Sequence, residues 1–389
     1  MANMLDYILW RGDLSFRERP LNEVDNLIFC EFGYAKWDGL LPDEGSGEVL
    51  FLRDAAIRYV ASGRPAPPST DPGPALRLGA LSARFSGAGV SDFVNRVDRA
   101  NRIQFCALTF HPGDGSLFVA FRGTDSTLTG WREDFSLSYS VRTPAQEAAV
   151  RYLEDIAARY PGPIRVGGHS KGGNLALYAA SFCNDAVRAR IADVYSNDGP
   201  GLNEKAVDTP DYVPLSGCFH LIIPEESVIG VIMNDGTERR VIKSSARGLQ
   251  QHDPMTWQVL GSAFEEAGGQ TGSSVFVDRT VRRWLDDMSD SERQSLTDAL
   301  FDGMEATGAD TLRDVKSGGL AAAGTMLKNF FDMDGTRQKE VVDSVGKLVR
   351  AGGGQLVDGA RKGIGGLMNI IDQTLSRSED KENKPPENK

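Results

Sequence analysis

The chain has 389 residues, of which 40% are hydrophobic and 25% charged. That excludes a wholly disordered or collagen-like protein and, at roughly 150 residues per domain, allows two or three domains or one large domain with an appendage. Asp and Glu number 54 against 43 Lys and Arg, a formal charge of −11, so the surface repels phosphate backbones and no nucleic-acid partner is expected.

The stretch from Met1 to Arg11 lacks a basic segment ahead of an apolar core, so no signal peptide is read there. No apolar run approaches the roughly 18 residues of a membrane span, and a cytoplasmic location is expected. The cysteines at 30, 106, 183 and 218 form no C-x-x-C pair. Neither a disulfide framework nor a zinc site is expected, and no metal or cofactor.

Val24, Leu27, Ile28 and Phe32 recur at helical intervals and predict a helix over 22–32. Residues 63–74 hold five prolines and predict an irregular loop. Val90 to Ala100 reads as a short helix. Ile103 to Phe110 and Leu117 to Phe121 read as a strand hairpin turning at 111–115. Pro144 to Arg159 is amphipathic. Ile164 to Val166 is a short buried strand, followed by Gly-Gly-His-Ser-Lys-Gly-Gly and an apolar helix over 174–183. Strands follow at 193–196 and 219–223, then a hairpin of 228–233 and 239–243 around Asn234-Asp235-Gly236. Beyond about 275 only helical periodicity remains, over 277–288, 290–307, 311–331 and 336–375. The polar end, 376–389, is expected to be disordered.

This alternation predicts an α/β fold of the α/β-hydrolase kind, with a mostly parallel central sheet. Residues 101–270 would form its core and 1–100 a helical and irregular part of the same domain. A helical extension would occupy 275–375. Its apolar stripes suit packing on the body of the protein or peripheral contact with a membrane through 311–375.

Gly168-His169-Ser170-Lys171-Gly172 matches G-x-S-x-G, the nucleophile elbow, between a strand and a helix as that motif requires. The serine sits on a sharp turn where side chains two residues away would collide. A serine nucleophile needs a base, and the four histidines are His111, His169, His220 and His252. The fold's order of serine, acid, histidine removes His111. His169 lies inside the elbow and cannot fold back on Ser170. His220 begins an apolar strand. His252, in a polar loop, remains. The acid follows a strand end: Asp198, between turn residues, is favoured, with Glu226 the alternative. Asp253 suits an N-cap before Pro254. Upstream, an apolar strand ends in Arg122-Gly123-Thr124. The backbone N–H and hydroxyl of Thr124 can join the N–H of Lys171 as an oxyanion hole.

Phe-Arg-Gly-Thr at 121–124, Trp131 with Asp134, the run from Gly168 to Ala176, and a late histidine resemble the fungal-type (class 3) lipases. The chain is similar, too, to a bacterial branch of that superfamily of unknown function, through 196–201 (SNDGPG) and 243–254 (KSSARGLQQHDP). The resemblance spans about 100–260. It implies an α/β-hydrolase cleaving acyl esters, with Ser170 as nucleophile, His252 as base and Thr124 and Lys171 as oxyanion donors. The chain differs from those lipases in Lys171, where leucine is usual, in Asp198-Gly199-Pro200 in place of Gly-Ser-Pro, and in Glu225-Glu226 at the family's acid position. The expected activity is hydrolysis of a carboxylic ester or thioester of a small-molecule acyl substrate. An amidase or acyltransferase would use the same residues, and an interaction module acting through the helical C-terminus is the non-enzymatic alternative.

Overall fold

The computed structural model describes residues 1–65, 71–125, 127–234 and 236–351. The expected helix beyond 351, the tail at 376–389 and part of the proline-rich loop lie outside the described residues.

The chain opens with α1 (Met4–Arg11) and α2 (Glu23–Phe32), each started by an asparagine in a reciprocal capping box: Asn3 with Asp6, and Asn22 with Asp25. β1 (Leu50–Phe51), α3 (Leu52–Ala61) and α4 (Gly73–Leu81) follow, then β2 (Gly89–Asp98), β3 (Ile103–His111), β4 (Leu117–Phe121), α5 (Leu128–Ser136) and α6 (Pro144–Arg159). The central units are β5 (Ile164–His169), α7 (Lys171–Phe182), α8 (Asp185–Arg188), β6 (Ile191–Asn197), α9 (Glu204–Val207), β7 (Phe219–Pro224) and β8 (Arg239–Ile242). After two 3₁₀ turns, Gly248–His252 and Pro254–Thr256, come β9 (Val259–Leu260), β10 (Ala263–Phe264), α10 (Gly272–Asp286), α11 (Asp290–Glu305) and α12 (Leu312–Asp332). A further helical stretch covers 335–351.

β1 to β8 form one sheet in sequence order. The pairings from β1 to β4 are antiparallel and those from β4 to β8 parallel, so this is the mostly parallel α/β sheet that the alternation predicts. Successive residues of β4 serve opposite faces. Phe118 and Ala120 join a core with Phe29, Phe32, Phe85 and Phe110 beneath α2 and α4. Leu117, Val119 and Phe121 join a second core with Leu153, Ile156, Ala176 and Ala179 of α6 and α7. Each fully buried phenylalanine contributes roughly 1.5–3 kcal/mol.

Three expectations are corrected. Val90 to Ala100 is strand, not helix. A bulge shifts the register between Ser91 and Val94, with Asp92 at φ +57°. The extra residue interrupts the two-residue alternation and leaves Val90, Phe93, Val94 and Val97 at spacings that mimic a helix. Residues 228–233 are bends and turns, not one arm of a hairpin, and β8 pairs in parallel with β7. His111, expected in a turn, is the last residue of β3.

The C-terminal helices pack on the body. Leu128 on α5 is buried with Phe301 and Ala309, and Arg132 is paired with Asp298 at 2.6 Å and Asp302 at 2.7 Å. Among the described residues no helix is long and apolar enough to cross a membrane.

Candidate active site

Ser170 stands where β5 turns into α7, at φ +57° and ψ −131°, in a region an L-residue occupies only when its surroundings hold it there. The neighbouring glycines make that turn possible. A Cβ on Gly168 would meet the Gly172 carbonyl at 2.1 Å, and one on Gly172 would meet the Phe121 carbonyl oxygen at 2.1 Å. On the other side, a Cβ on Gly199 would lie 2.6 Å from the Ser170 carbonyl oxygen. The elbow is therefore wedged between the ends of β4 and β6. The Ser170 N–H donates to Asn197 O at 3.0 Å, carrying the ladder into the turn. Ser170 is half-buried, at the N-terminus of α7, where the helix dipole favours negative charge.

The segment after β4 lies against this turn: a Cβ on Gly123 would come within 3.2 Å of Ser170 Cβ. The Thr124 hydroxyl, expected as an oxyanion donor, instead donates to Asp134 Oδ2. The Lys171 side chain is buried in an ion pair with Glu133 at 3.1 Å. Burial pushes the Asp134 carboxyl up to about 6, against the pull of the Lys171 ammonium and the Thr124 hydroxyl.

His252 ends the first 3₁₀ turn, and its Nδ1 lies 2.6 Å from Asp198 Oδ2. Against a carboxylate, Nδ1 carries the proton, and Nε2 of the neutral ring is left as the basic nitrogen. Asp198 sits just past β6 at φ +49° and is fully buried. Its N–H donates to Ile222 O at 2.8 Å, and its Oδ1 accepts from Ser227 Oγ at 2.5 Å and Gly230 N at 3.1 Å. A Cβ on Gly230 would come within 2.4 Å of Asp198 Oδ1, so glycine is what the approach allows. Residues 228–233, expected to pair as a strand, instead wrap this carboxylate.

Glu226 is not brought to the imidazole. Its Oε2 accepts from the Gly248 N–H, and from Gln251 Nε2 at 3.4 Å. Its N–H donates to Gln251 Oε1 at 2.9 Å. It therefore anchors the loop that carries His252. Trp257 Nε1 donates to Gln251 O at 2.8 Å, a fourth tie on the same loop.

The remaining histidines have other partners. His169 Nε2 lies 2.9 Å from the His252 carbonyl oxygen, and Nδ1 lies 3.1 Å from Tyr34 Oη. The carbonyl can only accept, so Nε2 holds the proton and Nδ1 takes the Tyr34 hydroxyl. Burial, followed by the neighbouring His252, holds the His169 pKa well below the usual histidine range. The two histidine rings are 4.6 Å apart. His220 is 3.0 Å from Asp193 and stacks on Tyr195 at 4.8 Å. His111 pairs with Ser91 at 2.9 Å. Asp253 accepts from Met255 N at 3.0 Å, the N-cap expected of it.

Sequence reasoning missed Ser227 and Gly230, which hold Asp198, and Tyr34 and His169, which hold the His252 loop. The serine and tyrosine are invisible as site residues because their partners lie far away in sequence. His169 was visible, but only as a rejected base.

Residues 80–302 match the family model described as Mbeg1-like, a span that covers over half of the chain and holds Thr124, Ser170, Asp198 and His252. No curated protein matches the chain.

Proposed function

The chain belongs to the Mbeg1-like family, a lipase-like family, and on that footing we propose that it is a serine hydrolase of carboxylic esters or thioesters of acyl chains. The observation that carries this reading is the 2.6 Å contact between His252 Nδ1 and Asp198 Oδ2, with the His252 ring 4.6 Å from that of His169, the residue before the strained serine at the head of α7. Asp198 fixes the imidazole tautomer and favours the imidazolium that forms on proton transfer. His252 Nε2 takes the Ser170 hydroxyl proton as Oγ attacks the acyl carbonyl. The backbone N–H groups of Thr124 and Lys171 receive the developing oxyanion. His252 then returns the proton to the leaving alkoxide or thiolate, and water, activated by the same ring, releases the acid from Ser170.

The test is turnover of a panel of acyl esters and thioesters of graded chain length by the purified chain and by Ser170→Ala. Turnover by the wild type that disappears in the variant supports the reading. Equal turnover by both, or none across the panel, contradicts it.

A further inference from the structure

Lys171 follows the elbow serine, and its side chain is 1% exposed. Burying an ammonium is costly unless its partners repay the desolvation. An apolar side chain would fill the same space without that cost, so the interactions of the ammonium are the informative feature.

The Nζ lies 2.9 Å from Gln104 O, 2.5 Å from Gln104 Oε1 and 3.1 Å from Glu133 Oε2. It also lies 3.7 Å from Asp134 Oδ1. The two carboxylates differ in what else supports them. Glu133 accepts from the N–H of Ala145 at 2.9 Å and from that of Gln104 at 3.1 Å, one on each oxygen. Asp134 takes the Thr124 hydroxyl on Oδ2, while its Oδ1 has no hydrogen-bond partner among the described residues. The charge facing that bare oxygen is Lys171.

Around Asp134 the elements contribute as follows. α7 supplies Lys171 and α5 supplies Glu133. β3 supplies the neutral amide of Gln104. The loop after β4 supplies Thr124 and Asp125, with Asp125 drawn toward Arg122 at 3.7 Å. Thr124, Gln104 and Asp125 converge on Gly130, where a Cβ would meet them at 2.8, 3.2 and 3.3 Å. Of the two residues read as oxyanion donors, Thr124 thus hydrogen-bonds Asp134, and Lys171, bonded to Gln104 and Glu133, sets its charge 3.7 Å from the other oxygen of Asp134.

We propose that Lys171 is a positioning residue: its ammonium holds Asp134 as the carboxylate that takes the Thr124 hydroxyl, and so fixes the turn that presents the Thr124 N–H. This rests on the reading of Thr124 and Lys171 as the oxyanion pair. Protonation of Asp134 would replace a charge-assisted hydrogen bond with a weaker one and loosen the turn. An opposite charge within about 4–6 Å lowers a carboxyl pKa by about 1–3 units, so a neutral residue at 171 moves that protonation to higher pH.

The experiment is the rate at which a fluorophosphonate labels the intact protein between about pH 5 and pH 9. The acid limb of labelling in Lys171→Gln should lie higher than in wild type by about one unit or more, with a roughly tenfold loss of rate near pH 6. Lys171→Arg should return the limb. In an Asp134→Asn background, Lys171→Gln should leave the limb where it stands. An unmoved limb in Lys171→Gln, or an equal shift in both backgrounds, overturns the proposal while leaving the hydrolase reading intact. A wild type that takes no label overturns both.

If Lys171→Gln does not fold, the unmutated protein labelled with nitrogen-15 lysine and carbon-13 aspartate gives the answer. The Lys171 ammonium signal should step at the pH where the Asp134 carboxyl carbon titrates. A Lys171 signal that passes through that titration unmoved overturns the proposal.

Discussion

His252 and Asp198 are 54 residues apart in sequence and 2.6 Å apart at Nδ1 and Oδ2. The carboxylate is held from behind by Ser227 and Gly230, and its backbone is pinned to β7. The imidazole is 29% exposed, on a loop held at Gln251 and at its own carbonyl. A rigidly held carboxylate thus faces an imidazole that is reachable from solvent.

Asp198→Asn should lower ester turnover by on the order of 10⁴, because the amide no longer selects the imidazole tautomer. Glu226→Gln keeps an oxygen for the Gly248 N–H and should leave most of the activity. Steady-state kinetics of the two variants checks this, and a severe loss confined to Glu226→Gln would reverse the assignment.

His169→Phe retains a ring between Tyr34 and Trp257 but removes the donor to the His252 carbonyl. Turnover should fall roughly 10²-fold through misplacement of the base, with KM little changed. The unpaired carbonyl and hydroxyl should cost about 1–3 kcal/mol of stability. Because the ring is held neutral, its titration should not be seen as a limb in the activity profile at mildly acidic pH. Kinetics and urea unfolding of the variant measure the two effects separately.

Gly230→Ala places a methyl group 2.4 Å from Asp198 Oδ1 and 2.6 Å from Ile223 Cγ2. Backbone and carboxylate must shift, so turnover should drop steeply. Thermal unfolding should show a loss of about 1–3 kcal/mol, the range for overpacking. Wild-type activity in this variant would mean that the wrap around Asp198 is not needed.

The pH dependence of stability has a definite sign at Asp134. Burial raises its pKa from the ordinary 3.8 to about 6 in the folded chain. The folded state therefore holds this proton more tightly than the unfolded state. The stability contributed by that proton is present below pH 4 or so and is lost as pH rises through about 6. The difference of about two units corresponds to on the order of 3 kcal/mol. Asp134→Asn should be more stable than wild type at pH 8 and show little advantage at pH 4. Urea unfolding at both values checks it, and an advantage at pH 4 alone would contradict the assignment.

The frame of the candidate site is legible in the sequence where local chemistry dictates local shape. The glycines around Ser170 announce a turn that tolerates no side chains, and four histidines are few enough for elimination. Pro144 to Arg159 reads as a helix from the spacing of its apolar positions, and the structure starts it with a Thr143 cap. The reading fails where distant contacts decide. The bulge at Asp92 disguises a strand as a helix. Residues 228–233 carry a strand's composition, yet Asp198 draws Gly230 into a turn. Asp198 and Glu226 both follow strands, and only the fold of the 248–252 loop separates a partner of His252 from an anchor of its backbone.

The most direct test of the central claim is covalent. The intact protein is treated with a fluorophosphonate, digested and examined by mass spectrometry, with Ser170→Ala and His252→Ala in parallel. The account predicts one adduct, on the Ser170 Oγ, absent from Ser170→Ala and strongly slowed in His252→Ala. An adduct on another residue, or a native protein that takes no label, would contradict it.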